Sequence, residues 1–142
     1  MHQIDPRRME DIAQNQPAFS RAIGIEVVSI AADKVVMRIP VAEIHANRNG
    51  VMHGGALLAL ADNTGGTASS VLIADDQMTT TLESKINFFR SIELGDVATA
   101  TATPLHLGRR THVWQIAIHR GDGKLAAQVT QTQMVMSPRK DD

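Results

Sequence analysis

Apolar and polar positions repeat along this chain with two different periods, and the changes of period mark the elements. Pro6 to about Gln14 reads as a short helix, with Asp5 as its cap and Pro6 at its first position. The stretch "PAFSRAIG" adds a second helical turn that stops at Gly24. In "IEVVSIAADKVVMRIPV", Val35 and Met37 alternate with Val36 and Arg38, the two-residue period of a strand. Two strands are predicted there around an Ala31–Asp33 turn. "AEIHANRNGVM" carries turn chemistry and reads as a loop. A long helix is then predicted from Gly54 to about Ala74. After Asp75-Asp76 the pattern turns β in four Thr-, Val- and Ile-rich segments, "MTTTLESKINFFR", "GDVATATATPLHLG", "RRTHVWQIAIHR" and "GKLAAQVTQTQMVM". The last two are joined by "RGDGK", Arg120–Lys124, with an Asp-Gly hairpin signal. The predicted fold class is α+β, with an antiparallel β-sheet wrapped around one long central helix. No repeat or linker interrupts the pattern, so residues 1–142 are read as one domain.

On the long helix, Leu57, Leu60, Ala61, Thr64, Ala68, Val71 and Leu72 fall in one broad arc at ~100° per residue. That arc is expected to pack on the sheet. The opposite arc holds Gly55, Ala59, Asp62, Gly66, Ser69 and Ser70, all small except Asp62. A strip of small residues admits another backbone or a thin ligand. The bland reading is an exposed Asp on a tolerant helix. The strip and the adjacent glycines favour a functional seam instead. At the helix start the first N–H groups lack intrahelical partners and the dipole favours negative charge. Gly54 and Gly55 would let an oxygen reach those N–H groups, as in an oxyanion hole. His53, just before them, would brace the turn or polarise a carbonyl. Asp62 stands ~13 Å further along the helix, too far to act on a group held at its start. Two antiparallel copies would bring one chain's Asp62 to the other's helix N-terminus.

Composition narrows the function. Lys and Arg number 14 against 15 Asp and Glu, a formal charge of −1, which gives no strong steering toward nucleic acid or membrane. Aromatic residues are 3% of the chain, too few for a base-stacking platform. With no Cys there is no thiolate nucleophile, disulfide or Cys-based metal site. His2, His45, His106, His112 and His119 are scattered without a metal-ligand spacing, and no metal is expected. No run reaches the ~18 apolar residues of a membrane span. "MHQIDPRRMEDIAQNQ" lacks a signal-peptide apolar core, so a cytoplasmic location is expected. The tail "PRKDD" reads as a solvated end.

"NRNGVMHGGALLALAD" resembles the signature of hotdog-fold acyl-CoA thioesterases of the PaaI-like, phenylacetate-pathway type. His-Gly-Gly followed by Asp matches at His53, Gly54, Gly55 and Asp62. "GIEVVSI", "TLESKINFFR" and "GDGKLAAQVTQTQMV" extend the likeness over roughly Phe19 to Met136. The resemblance implies that Asp62 is the catalytic carboxylate, as general base or nucleophile. It implies that the Gly54 N–H polarises the thioester carbonyl, with His53 beside it and Gly55 at the substrate. Asn47 matches a family position whose amide lies near the reaction centre. Thr81 matches a hydroxyl position from the partner subunit, with Thr79 and Thr80 as alternative registers. Arg90, Arg109 and Arg110 become candidates for the CoA phosphates. The resemblance also implies a homodimer or a dimer of dimers, with acyl-CoA as substrate and no separate cofactor.

Two rivals on the same fold are a hydratase or dehydratase, which pairs a helix carboxylate with an imidazole, and an acyl-CoA sensor without turnover. The His-Gly-Gly context speaks against the first, and Asp62 against the second. The Leu57, Leu58 and Leu60 run and the low aromatic content point to a flexible apolar acyl pocket and a broad acyl range. The glycine-rich "DNTGGTA" is expected to loosen that pocket.

Overall fold

The computed structural model describes residues 4–138; His2 and the tail beyond Pro138 lie outside the described residues. The elements are α1 (Pro6–Gln14), α2 (Ala18–Ala22), β1 (Glu26–Ala31), β2 (Lys34–Pro40), a 3₁₀ turn (Glu43–His45), α3 (Gly54–Ser70), β3 (Met78–Phe88), β4 (Val97–Leu107), β5 (Thr111–His119) and β6 (Leu125–Met136). The order of helices and strands is the expected one. Asp5 caps α1 by accepting the Arg7 N–H at 2.9 Å. The predicted loop contains the 3₁₀ turn, pinned by buried His45, whose Nδ1 accepts the Ala42 N–H at 2.9 Å.

The six strands form one antiparallel sheet in the order β1-β2-β4-β5-β6-β3. Each central strand buries alternate side chains beneath α3: Val35, Met37 and Ile39 on β2, Ala98, Ala100 and Ala102 on β4, Trp114, Ile116 and Ile118 on β5, Ala127 and Val129 on β6. The alanines matter sterically. A sheet that must curve around a helix needs a low floor somewhere, and β4 supplies it. Leu57, Leu60, Ala61, Thr64 and Ala68 of α3 close the core from above.

Two expectations about α3 are corrected. The helix stops at Ser70, short of Ala74. Continuing it would place Asp75 and Asp76 at the negative end of the helix dipole. Arg8 instead donates Nη2 to the Ser70 carbonyl at 2.9 Å and pairs with Asp75, closing the helix end and tethering α1 to it. Ser69 is not on the open strip but fully buried, accepting the Trp114 Nε1–H at 2.7 Å, with His112 Nδ1 3.0 Å from the same hydroxyl. Gly55, Ala59, Asp62, Gly66 and Ser70 keep some exposure.

Strand β3 sits at the edge of the sheet, hydrogen-bonded only to β6. A bulge interrupts their register between Thr81 and Glu83. Thr79 and Thr81 face α3, and the extra residue brings Ser84 and Ile86, rather than Glu83 and Lys85, to that same side.

Candidate active site

His53 is the N-cap of α3, and its Nδ1 accepts the Gly55 N–H at 2.8 Å. The imidazole therefore braces the turn. The Gly54 N–H has no acceptor among the described residues and stands at the positive end of the helix dipole. Asn47 holds the preceding loop: its Oδ1 accepts the N–H of Asn49 at 2.9 Å and of Val51 at 3.3 Å. That leaves the Asn47 amide nitrogen uncommitted among the described residues. Asn47, Gly54, Leu57, Phe88 and Arg90 line one cleft of about 420 Å³. The Arg90 guanidinium there donates to the Leu125 carbonyl at 2.8 Å. The glycines have packing reasons of their own. A Cβ on Gly54 would meet the Phe88 ring at 3.0 Å, and one on Gly55 the His53 ring at 3.0 Å.

Two turns along α3, Asp62 opens onto a second cleft of about 470 Å³, walled by Asp11, Asn15 and Gln16, by Asn63 and Ser70, and by Thr79–Thr81. Asp62 Oδ1 accepts two hydrogen bonds, from Thr81 Oγ1 at 2.7 Å and from Gln131 Nε2 at 2.8 Å. Its Oδ2 takes none among the described residues. The Thr81 hydroxyl thus donates to the Asp62 of its own chain. Thr79 donates instead to Gln133, at 2.6 Å, and Thr80 stands on the opposite face of the strand. The flanking Asn63 is held by Gln16 and Ser20 at 2.8 and 2.7 Å, which fixes the α1–α2 junction to α3.

Arg109 and Arg110, in the turn before β5, line a third groove with Met78, Met134 and Met136. Arg90 lies at the opposite end of β3. The candidate residues therefore fall into separate places within one chain: Asn47, His53, Gly54, Gly55 and Arg90 at the helix start, Asp62 and Thr81 at its middle, Arg109 and Arg110 beyond. The expected apolar pocket is not at Asp62. Leu60 is fully buried in the core, Leu57 lines the Gly54 cleft, and most of the residues lining the Asp62 cleft are polar types. Among the described residues, no group of three or more His, Asp or Glu is placed to hold a metal ion. Among the described residues, no helix is long and apolar enough to cross a membrane.

Sequence reasoning missed Gln131 and Gln133, which are 0% and 1% exposed. The available signal was their place in the alternation Ala127, Val129, Gln131, Gln133, Val135, where two amides occupy core-facing positions. Gly65 belongs with them: a Cβ there would lie 2.1 Å from Gln131 Oε1. The glycine makes room for an amide, so the expectation of a loosened pocket is replaced by a packing requirement.

Compared with known proteins, the family model of the thioesterase superfamily matches residues 49–127. A 1,4-dihydroxy-2-naphthoyl-CoA hydrolase of Listeria monocytogenes is 34% identical over 122 residues, covering 86% of this chain and 98% of that protein. A thioesterase structure from Haemophilus influenzae superposes with a TM-score of 0.88 at 30% identity, covering 96% of both chains. The PaaI protein of the E. coli phenylacetic acid degradation operon superposes with a TM-score of 0.82 at 26% identity, covering 92% of both.

Proposed function

The chain belongs to the thioesterase superfamily and is a hotdog-fold thioester hydrolase, and from that premise we propose that it cleaves acyl-CoA thioesters with Asp62 as the reacting carboxylate. The observation that carries this reading is the state of Asp62: one oxygen clamped by two neutral donors and the other without a hydrogen bond among the described residues, on a side chain that lines an open cleft. As general base, Asp62 takes a proton from water. The water oxygen adds to the thioester carbonyl, the C–S bond breaks, and the CoA thiolate leaves and is protonated. As nucleophile, the same carboxylate adds to the carbonyl, the C–S bond breaks and the CoA thiolate leaves and is protonated, and water then hydrolyses the mixed anhydride. Both routes need a donor for the developing oxyanion, and the unpaired Gly54 N–H at the helix start is suited to it. Asn47 would help hold the carbonyl, with His53 keeping the turn in shape. Arg90, Arg109 and Arg110 would take the CoA phosphates. No separate cofactor is needed, because CoA is part of the substrate. The proposed location is cytoplasmic.

Gly54 and Asp62 are eight residues apart on one helix, about 12 Å. They act on one carbonyl only if two chains contribute. The open edge of β3, with Met78, Leu82 and Phe88 exposed on it or at its end, favours a two-chain sheet that sets the α3 helices side by side and antiparallel.

The test is release of CoA thiol from acetyl-, phenylacetyl-, hydroxybenzoyl-, octanoyl- and palmitoyl-CoA by wild type and Asp62→Asn. Turnover by the wild type and a loss of about 10²- to 10⁴-fold in a folded variant are expected. A folded Asp62→Asn with wild-type kcat overturns the assignment. A wild type that binds these thioesters without turnover supports the sensor reading.

A further inference from the structure

We propose that Gln133, which does not touch Asp62, sets the reacting oxygen of that carboxylate through a closed ring of hydrogen bonds. This rests on the reading of Asp62 as the reacting group. Gln133 Nε2 donates twice, to Thr81 Oγ1 at 2.6 Å and to Gln131 Oε1 at 2.9 Å. A Thr hydroxyl has one proton. Since Thr81 accepts from Gln133, that proton points at Asp62 Oδ1. Gln131 accepts on its oxygen, so its amide nitrogen is turned to donate to the same Oδ1 and to Ser84 Oγ at 3.0 Å. Both arms leave one amide and meet on one carboxylate oxygen. Every bond in the ring runs toward Asp62, and reversing either Gln would set a carbonyl oxygen against an acceptor.

The direction of the ring is set by the Asp62 carboxylate, which can only accept, and the far end of the Gln133 amide is held by Thr79, whose hydroxyl donates to Gln133 Oε1 at 2.6 Å. Gly65 provides the space in which the Gln131 amide lies. With Oδ1 saturated by Thr81 and Gln131, Oδ2 is the oxygen that meets water or the carbonyl. Gln131 and Gln133 are thus positioning residues, and Thr79 pins the relay. Oriented dipoles matter here because a reacting group displaced by ~1 Å costs about 10²-fold in rate.

Thr79 supplies the test that keeps the fold intact, since it lies on the edge strand and Val is its near-isostere with good strand propensity. Thr79→Val, Thr79→Ser, Gln133→Met and Asp62→Asn are compared with wild type on the best substrate of the panel. Expected are a kcat reduced about 3- to 10-fold in Thr79→Val with KM within twofold of wild type, restoration in Thr79→Ser, and a loss of ten-fold or more in Gln133→Met. A folded Thr79→Val with wild-type kcat, or a Thr79→Ser no better than Thr79→Val, overturns the proposal even if Gln133→Met fails to fold. Asp62→Asn separates the two claims. If it is inactive while Thr79→Val is unimpaired, the catalytic assignment stands and the ring has no directing role. If it is fully active, the catalytic assignment fails.

Discussion

Two carboxylates in this molecule are held in different ways. Asp122, in the hairpin between β5 and β6, accepts from Arg120 at 2.6 Å and from the Lys124 N–H at 3.0 Å. The Arg120 hydrogen bond leads in holding its pKa down, from 3.8 to about 2, with the Lys124 N–H next. Asp62 is oriented by neutral donors, with no Lys or Arg bonded to it among the described residues. The first arrangement serves a turn; the second fixes direction without a counter-charge. For Asp122 the sign is that of a depressed acid. Its contribution to stability is present above the ordinary carboxylate range and is lost as pH falls through about 2. An NMR titration of the Asp122 carboxyl carbon should give a midpoint near 2, and Arg120→Ala should move it upward. An unchanged midpoint in that variant would remove the guanidinium as the cause.

Adjacent glycines in α3 should respond to the same substitution with opposite signs. Gly→Ala in a helix interior is ordinarily stabilising by about 0.5–1 kcal/mol. At Gly66 the nearest atom to a new Cβ is Gln133 Nε2 at 3.9 Å, an ordinary contact. Gly66→Ala should therefore raise Tm by a few degrees. At Gly65 the new Cβ would lie 2.1 Å from Gln131 Oε1 and 3.0 Å from Ile116 Cδ1. Gly65→Ala should lower Tm and, by displacing Gln131, lower kcat as well. Thermal melts of the pair decide it; a rise for both would show that Gln131 moves aside at no cost. The elements themselves were legible in the sequence, because their hydrophobic periods are long and regular. Asp62 was legible too, as a carboxylate in a strip of small residues. Its partners were not. Gln131 and Gln133 share the core-facing alternation of β6, but nothing in that period says that two buried amides there would bond to a carboxylate on α3, and the bulge at Leu82 breaks the alternation that would have placed Ser84. Neither the end of α3 nor the burial of Ser69 follows from helix geometry alone. Both depend on groups brought from elsewhere, Arg8 and Trp114.

At the scale of the whole molecule the proposed chemistry calls for two chains. Light scattering should give a mass of at least twice 15.4 kDa. Mixing inactive Asn47→Ala and Asp62→Asn chains under exchange conditions should restore up to about a quarter of wild-type activity, since half the dimers are mixed and each has one intact site. No recovery, despite proven exchange, would mean that each chain works with its own residues. The strand order also has a meaning in time. β3 has one sheet neighbour, β6, and β6 is the last strand to be made. While the ribosome is still adding β4 and β5, β3 waits unpaired with Leu82 and Phe88 bare, a stretch open to mispairing with other nascent chains. The Asp62 ring draws one side from β3 and the other from β6, so it closes only when Gln131 and Gln133 have emerged. A chain interrupted before them carries the carboxylate and the helix start but not the clamp. Synthesis cut short therefore yields a chain whose Asp62 lacks the Gln131 hydrogen bond and whose β3 has no sheet neighbour.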